Sequence, residues 1–590
     1  MAPTPDDAAQ QIAFEAMLRR YFAKLGRRYA PFIIGAVCLL IVVLLVPTTQ
    51  PLNTTQSGSN FATGTRRGPS SSGSGTADTL LDATGDTVPG SSSDTGSSGD
   101  NSASGPGANF LGAGGSDSGV ARTGMKCGNG ARQFTWSSHS PYCEAEFKGN
   151  NGGATGQGAT KDTITLTFRV PSSAQDQAIG AAAGNANVNY DAMIADMQTY
   201  ISFFNKQFEL YGRKVVLKPF KGQGDYIQED QGQNLAGAQA DAVTAHDMGA
   251  FGDVTFSLGA SQPYEQDLAD QHVMSFSPIG QPQSWFEQYA PYEWSVQGAS
   301  GTVGIQSAAA FVCRRMAKLP AIFSGDTVDQ KRTRVFGIIY PEIPTYAQLA
   351  SQYEGLLKQG CGVTVAQKSG YAVNVAQFTN QAATISAQMR SQGVTTVLCA
   401  CDPIFPIFLT RSASGQGYHP EWAAVLAGDP SGRLYEQSEW SHAFGGGAQS
   451  PDPKTTEPYK VYKLANPGKE PAEGSANGGP PYFSVPYYTL LHVFEGLQAA
   501  GPNLTAANFQ KGMFSLPPSD IDPIGGKWVF GPNVYDPVAS FSIAYWDPNA
   551  KSAFDGETGR YSNCNGGQIY TVDHLEALGG PGEQLHCFGK

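Results

Sequence analysis

The apolar positions of this chain change period twice within its most legible stretch. Ile164 to Val170 alternates and branches as a strand does. Tyr190, Met193, Ile194, Met197, Ile201, Phe204 and Phe208 then recur at three- and four-residue steps, which is one face of a long helix. Val215, Val216 and Leu217 open a second strand that ends at Gly222 and Gly224. Between helix and strand, Gly212 stands where a left-handed C-cap is wanted, and Arg213 and Lys214 complement the negative end of the helix dipole. Strand, helix, strand is the opening unit of a parallel α/β sheet.

The alternation continues downstream. Val254 to Leu258 and Val273 to Ser277 read as strands around a short helix from Gln262 to Ala269. Ser307 to Met316 is helical, Val335 to Tyr340 a buried strand, Tyr346 to Leu357 an amphipathic helix and Val363 to Gln367 a strand. Phe378, Ala382, Ile385 and Met389 mark another helix, followed by strands at Val394 to Ala400 and Trp422 to Leu426. Residues 448–481, rich in Pro, Lys and Gly, break the rhythm and read as a surface loop. Helices at Tyr487 to Ala500 and Leu504 to Met513 resume it, and strands at Lys527 to Phe530 and Phe541 to Trp546 close it. An α/β protein with parallel sheets is expected.

The first part of the chain has a different character. Residues 31–47 are apolar or small throughout and, with Tyr29 and Ala30, reach roughly 27 Å as a helix, close to a bilayer core. Arg19, Arg20, Lys24, Arg27 and Arg28 precede them, so a signal anchor with residues 1–30 cytoplasmic and the remainder exported is expected. A cleaved signal peptide is the competing reading, but Val46-Pro47-Thr48 is a poor cleavage site. Residues 48–124 are Ser, Gly, Thr and Asp with few aromatics, a composition that cannot offset its ordering entropy. As a flexible coil such a tether has a mean reach of roughly 50 Å. Residues 125–161 form a small preface bounded by cysteines.

Composition narrows the function. The net charge of −12 argues against a nucleic-acid partner. Eight of the nine cysteines follow the apolar segment, an even number in an exported region, which points to disulfides. Chain order favours Cys127 with Cys143 and Cys564 with Cys587; among Cys313, Cys361, Cys399 and Cys401 the pairing stays open, Cys313 with Cys361 being one choice. Cys399 and Cys401 would share one face of a strand, an unfavourable place for a mutual bond. No GxSxG elbow, HExxH helix or phosphate-loop lysine motif is present, and the eight histidines lack metal-ligand spacing. No enzyme activity, cofactor or metal is therefore expected.

Several phrases, in one order from Asp162 to Trp546, resemble the type I extracytoplasmic solute-binding proteins of the branched-chain amino-acid receptor family. NKQFELYGRKVVLKPFKGQGD, residues 205–225, is similar to that family's opening helix–strand phrase, with Asn205, Gly212-Arg213 and Asp225 at its marked places. PYEWSVQGASGTVG, residues 291–304, resembles the crossover into a second lobe. IIYPEIPTYAQLASQYEG, residues 338–355, resembles the phrase that carries a ligand-covering tyrosine, here Tyr346, with Ala347 where glycine is usual. Residues 369–402 and 482–513 match two further phrases, the latter with Val485-Pro486 in place of Asp-Ala. The NGGA-containing preface is similar to that of actinobacterial members.

The resemblance implies two Rossmann-like lobes joined by crossover strands, residues 162–295 with 482–518 forming the first and residues 296–447 with 519–590 the second. Ligand would bind between them and draw them together. Ser261 and Gln262 follow one strand and Ser277 and Gln281 another, where the family holds a ligand carboxylate through hydroxyls and main-chain amides. A helix opening at Gln262 would add its dipole. From the second lobe the implied contacts are Tyr346, Asp402 and Asp429, either carboxylate meeting a ligand ammonium. Trp285, Tyr289, Tyr292 and Trp294 either floor the cleft or belong to the lobe core.

The function so implied is capture of a small organic ligand, such as an amino acid or amide, for an ABC permease in the cell membrane, by a monomeric exodomain tethered on a single-pass anchor. A sensor or scaffold acting on a membrane partner is the alternative; intact import with lost regulation in a deletion strain would favour it. Immunoblotting and N-terminal sequencing of the membrane fraction test the anchor: the full chain should retain residues 1–47, and a mature form beginning near Thr48 would show cleavage.

Overall fold

The computed structural model describes residues 115–171, 189–256, 259–278, 280–296, 298–426, 428–472, 484–519 and 527–589. The expected cytoplasmic segment, the anchor and the linker up to residue 114 lie outside the described residues. Among the described residues no helix is long and apolar enough to cross a membrane.

The first lobe is built on β1 (Thr163–Val170), whose six inner residues are all buried. A strand covered on both faces reads as a near-continuous run of Thr, Ile, Leu and Phe. Helix α1 (Tyr190–Gln207) follows, capped by the Asn189 side chain on the Ala192 amide. Its face of Met193, Met197, Tyr200, Ile201 and Phe204 is buried as its periodicity predicts. The helix stops at Gln207 with Phe208 extended, earlier than expected. Gly212 (φ +83°) therefore serves the following turn and not the helix cap, because Tyr211 (φ +56°) already takes a left-handed conformation ahead of it. Next come β2 (Lys214–Lys221), α2 (Tyr226–Asp230), α3 (Leu235–Asp247), β3 (Gly252–Asp253), α4 (Gln262–Asp270), β4 (Met274–Ser275) and α5 (Gln283–Tyr289). The sheet order is β2-β1-β3-β4, parallel throughout.

The second lobe begins with α6 (Gly301–Arg315) and continues through β5 (Phe336–Pro341), α7 (Pro344–Cys361), β6 (Gln367–Tyr371), α8 (Val375–Ser391), β7 (Thr396–Cys399), α9 (Phe405–Gly415) and β8 (Glu421–Ala424). Two one-turn helices, α10 (Asp429–Gly432) and α11 (Gln437–Trp440), lead to β9 (Ala443–Gly446). Helices α12 (Glu457–Ala465), α13 (Ser484–Ala500) and α14 (Ala506–Phe514) return to the first lobe, before β10 (Ser540–Lys551), β11 (Thr558–Asn563) and β12 (Ile569–Thr571). The second sheet runs β11-β10-β9-β8-β7-β5-β6, with β12 also on β10. It is parallel from β6 to β9 and antiparallel beyond, so it is mixed where a parallel sheet was expected. A short connection joins β10 to β11, which antiparallel pairing allows.

Four further expectations are corrected. Residues 448–481 are not all loop: α12 packs on α1, where Tyr200 Oη donates to the Pro458 carbonyl at 2.8 Å. The strand expected at Val363 to Gln367 lies at Gln367–Tyr371, since α7 runs on to Cys361 and a left-handed Gly362 ends it. The second lobe does not take the chain from residue 519, because Trp528, Phe530 and Tyr535 belong to the first-lobe core. Cys399 and Cys401 are bonded to each other, alongside the two expected pairs and Cys313 with Cys361. Strand β7 ends at Cys399, so the strand geometry that set the two thiols on one face no longer holds at Cys401.

The preface is a cover, not a spacer. Phe134 and Trp136 stack at 3.9 Å, and Phe134 meets Phe208 of the first-lobe core at 5.1 Å. Arg213 ties this cover down. Its guanidinium donates to the carbonyls of Thr160 (2.7 Å), Asn151 (2.7 Å) and Pro502 (2.8 Å), joining the preface, the β2 edge and the α13–α14 turn. Replacing Arg213 by Ala leaves those carbonyls without their donor and should cost about 2–3 kcal/mol in urea unfolding, with new protease cleavage between residues 122 and 161. A change below about 0.5 kcal/mol would show the anchor to be ornamental.

Candidate functional site

Both sheets reverse their strand order beside their first strand, between β1 and β3 in one lobe and between β5 and β7 in the other. The carboxyl ends at such switch points are where open parallel sheets bind ligands. Here they bring Gln262 of the first lobe beside Glu342, Ile343, Pro344 and Thr345 of the second.

A buried ion cluster organises the first-lobe side. Arg169 stands next to last on β1, 1% exposed. Its Nη2 donates to Glu229 Oε1 at 2.7 Å, its Nε lies 3.1 Å from Asp241 Oδ2 without hydrogen-bond geometry, and its guanidinium sits 4.4 Å over the Tyr264 ring. Asp241 in turn accepts from the amides of Gln223 and Gly224. Gly224 cannot be larger: a Cβ there would stand 1.8 Å from Glu229 Oε1. The Ser261 hydroxyl donates to Glu229 Oε2, and its oxygen caps α4 at the Tyr264 amide. The polar GQG loop read from the sequence thus wraps a charged side chain. Arg169 itself was legible only as a lone charge in an otherwise apolar strand.

Between the lobes lies a cavity of about 690 Å³. Its walls come from α2, α3 and α4 of the first lobe and from Glu342, Ile343 and Pro344 of the second. Four of its lining residues are acidic (Glu229, Asp230, Asp267 and Glu342) and four are glutamines, and none is Lys, Arg or His. Two hydrogen bonds cross from lobe to lobe beside it: Thr345 Oγ1 donates to Gln262 Oε1 at 3.1 Å, and Gln231 Nε2 donates to the Val373 carbonyl. The amide of Gln262, first residue of α4, donates to Asp230 Oδ1 at 2.9 Å. Burial, with the charge of Glu229 adding to it, pushes the Asp230 carboxyl up to about 7. Asp267 is pushed up to about 6 by burial and by Asp270 and Glu229.

The residues expected to bind ligand divide into three groups. Gln262 lines the cavity, while Ser261 is engaged with Glu229 and the α4 terminus. Ser277 Oγ and Gln281 Oε1 are buried and have no hydrogen-bond partner among the described residues, and Tyr346 stands over their loop, 3.3 Å from where a Cβ on Gly280 would be. Burial raises the Tyr346 phenol, with Asp230, Glu265 and Asp402 adding. Asp402 is committed locally: it accepts from Tyr371 Oη at 2.5 Å and from the amides of Ile404 and Phe405 at the start of α9. Asp429 is not among the residues lining the cavity; it is fully buried, holding the Tyr561 amide and the Ser552 hydroxyl. Its partners lie on and beside the C-terminal hairpin, which the sequence pattern did not place over β8. Trp285 and Trp294 are lobe core.

The fold and cavity define a two-lobed α/β protein with an interlobe space of small-ligand size. Solved structures similar to this chain are substrate-binding proteins of ABC transporters, of the leucine-binding, branched-chain amino-acid receptor kind. A fatty acid ABC transporter substrate-binding protein from Thermomonospora curvata is 14% identical, with 72% of this chain and 97% of that chain covered and a TM-score of 0.49. A leucine-, isoleucine-, valine-, threonine- and alanine-binding protein from Brucella ovis, in a closed conformation, is 13% identical over 70% and 96%, with a TM-score of 0.46. A solute-binding protein from Rhodopseudomonas palustris BisB5, in complex with 3,4-dihydroxybenzoic acid, is 12% identical over 70% and 98%, also at 0.46. No family model and no curated protein matches the chain.

The raised carboxyls set a pH dependence. Asp230 and Asp267 have folded values of about 7 and about 6 against an ordinary 3.8, so the native state binds more protons than the unfolded chain between those values. Stability falls as pH rises through that window and levels off above it. Asp230→Asn should flatten the profile and melt higher than the parent near pH 8, converging with it near pH 4. Parallel melting curves for the two proteins across that range would contradict the assignment.

Proposed function

We propose that this chain is a membrane-tethered, extracytoplasmic solute-binding protein that captures a small organic ligand between its lobes for an ABC-type importer. One observation carries the reading: the cavity of about 690 Å³ is shared by the carboxyl-edge elements of two doubly wound sheets. Its size falls within the range of small-molecule sites, roughly 300–1,000 Å³. The lobes meet there through separable polar contacts, Thr345 to Gln262 and Gln231 to Val373, rather than through a continuous apolar core. Polar contacts of that kind can be exchanged for contacts to a ligand, and a ligand touching both walls favours the closed arrangement by its differential affinity. Tyr346, two residues beyond the second-lobe wall of the cavity, rests over the Gly280 loop and would cover a ligand that reaches there. The apolar segment at residues 31–47 would hold the receptor beside its permease, and residues 48–124 would give it reach.

Thermal-shift screening of the full chain against amino acids, amides, amines and aromatic acids tests this. A true ligand should raise the melting temperature in proportion to its saturation. Tyr346→Ala should weaken that ligand by about tenfold or more while leaving the ligand-free melting temperature in place. A screen in which no class shifts the melt would overturn the proposal.

A further inference from the structure

Three of the disulfides close long stretches of chain: Cys127–Cys143, Cys313–Cys361 and Cys564–Cys587 are 16, 48 and 23 residues apart. Cys399–Cys401 has a separation of 2. A cross-link restrains the unfolded chain more the longer the loop it closes, so this bond has the least to add to the fold. It also bends the backbone. Two residues of extended strand cover roughly 6.6 Å. The Cα atoms of Cys399 and Cys401 stand 5.1 Å apart. The bond therefore draws the chain in where β7 ends at Cys399. Cys399 is buried and Cys401 only partly so, and an incoming group meets Cys401 first.

The bent segment carries the tethers of the second-lobe wall. The Ala400 amide, between the two cysteines, donates to the Ile339 carbonyl of β5 at 3.0 Å. Asp402, the residue after Cys401, accepts from the Tyr371 phenol at 2.5 Å, and its own amide donates to that phenol oxygen at 2.9 Å. Tyr371 ends β6, and its carbonyl accepts from the Glu342 amide at 2.8 Å. Glu342 lines the cavity. Two residues beyond Tyr371, the Val373 carbonyl accepts the interlobe hydrogen bond from Gln231, which lines the opposite wall. Asp402 Oδ1 also caps α9 through the amides of Ile404 and Phe405, and the Phe405 ring stacks on Tyr371 at 3.9 Å. Letting residues 399–401 relax to strand spacing would move Asp402, and with it both of its hydrogen bonds to Tyr371.

We propose that Cys399–Cys401 is a thiol–disulfide exchange site whose oxidation state sets the second-lobe wall of the cleft. A thiolate attacks Cys401 Sγ; the bond to Cys399 breaks, and its electron pair leaves on Cys399 Sγ, which takes a proton. A second thiol then attacks the mixed disulfide and frees Cys401, so that two external thiols become one disulfide while the protein gains two thiols. The reductant is a thiol or a dithiol. That this wall serves ligand capture rests on the reading above; the exchange does not, and its test needs no ligand. The full chain is titrated with dithiothreitol and trapped with iodoacetamide for peptide mass spectrometry, with hydrogen–deuterium exchange followed in parallel. Cys399 and Cys401 should be labelled about tenfold sooner than the cysteines of the other three pairs. Exchange should then rise at the amides of Glu342, Asp402, Ile404 and Phe405. Joint Cys399→Ser and Cys401→Ser replacement should give the same raised exchange without reductant; if that variant does not fold, the reduced parent decides alone. Reduction of another pair first, or of all together, would overturn the site. Selective reduction that leaves exchange at Glu342 unchanged would overturn the switch, and either result leaves ligand capture standing.

Discussion

The charge of Arg169 is the constraint around which the first lobe is arranged. An arginine buried in the central strand of a parallel sheet cannot lose its proton, so the fold must surround it with anions. Glu229 and Asp241 supply them, and a cation–π contact with Tyr264 covers the remaining face. Meeting that requirement fixes much else. The loop after β2 must be glycine at residue 224 to let Glu229 approach, and Asp241 must hold that loop's amides. Ser261 must face inward to share Glu229, which sets where α4 starts. The cleft edge is thus positioned by an ion cluster, which is directional, and not by apolar packing, which is not.

Elsewhere the packing is apolar and spans distant parts of the chain. Helix α1 is sandwiched between α12 and α13, and Phe204, Phe208 and Phe494 meet edge to face or tilted at 5.3–5.6 Å. The preface lays Phe134 and Trp136 on the same cluster. Such a core makes the first lobe one unit despite the insertion of the second lobe within it. The second lobe has its own core, so the chain between them is left to carry relative motion.

Long periodic segments were legible in the sequence because one physical signal dominated each. The face of α1 and the apolar run of β1 state their own burial. Short strands were not, since β3 and β4 have two paired residues each and their neighbours carry the apolar signal on into loops. Asp429 shows the limit at the site. An aspartate after a strand has the same local pattern whether it faces a ligand or caps the backbone of a hairpin that follows more than a hundred residues later, as it does for Tyr561. Ser277 and Gln281 follow strand ends, and what sequence could not state is that Ser277 Oγ and Gln281 Oε1 have no hydrogen-bond partner among the described residues.

The acidic excess also bears on how the lobes come together. Asp230 and Asp267 stand on one wall of the cavity and Glu342 on the other. Closing an empty cleft brings like charges toward a drier space, where their repulsion is less screened. Protonation relieves part of this, and the raised carboxyls of Asp230 and Asp267 express that relief.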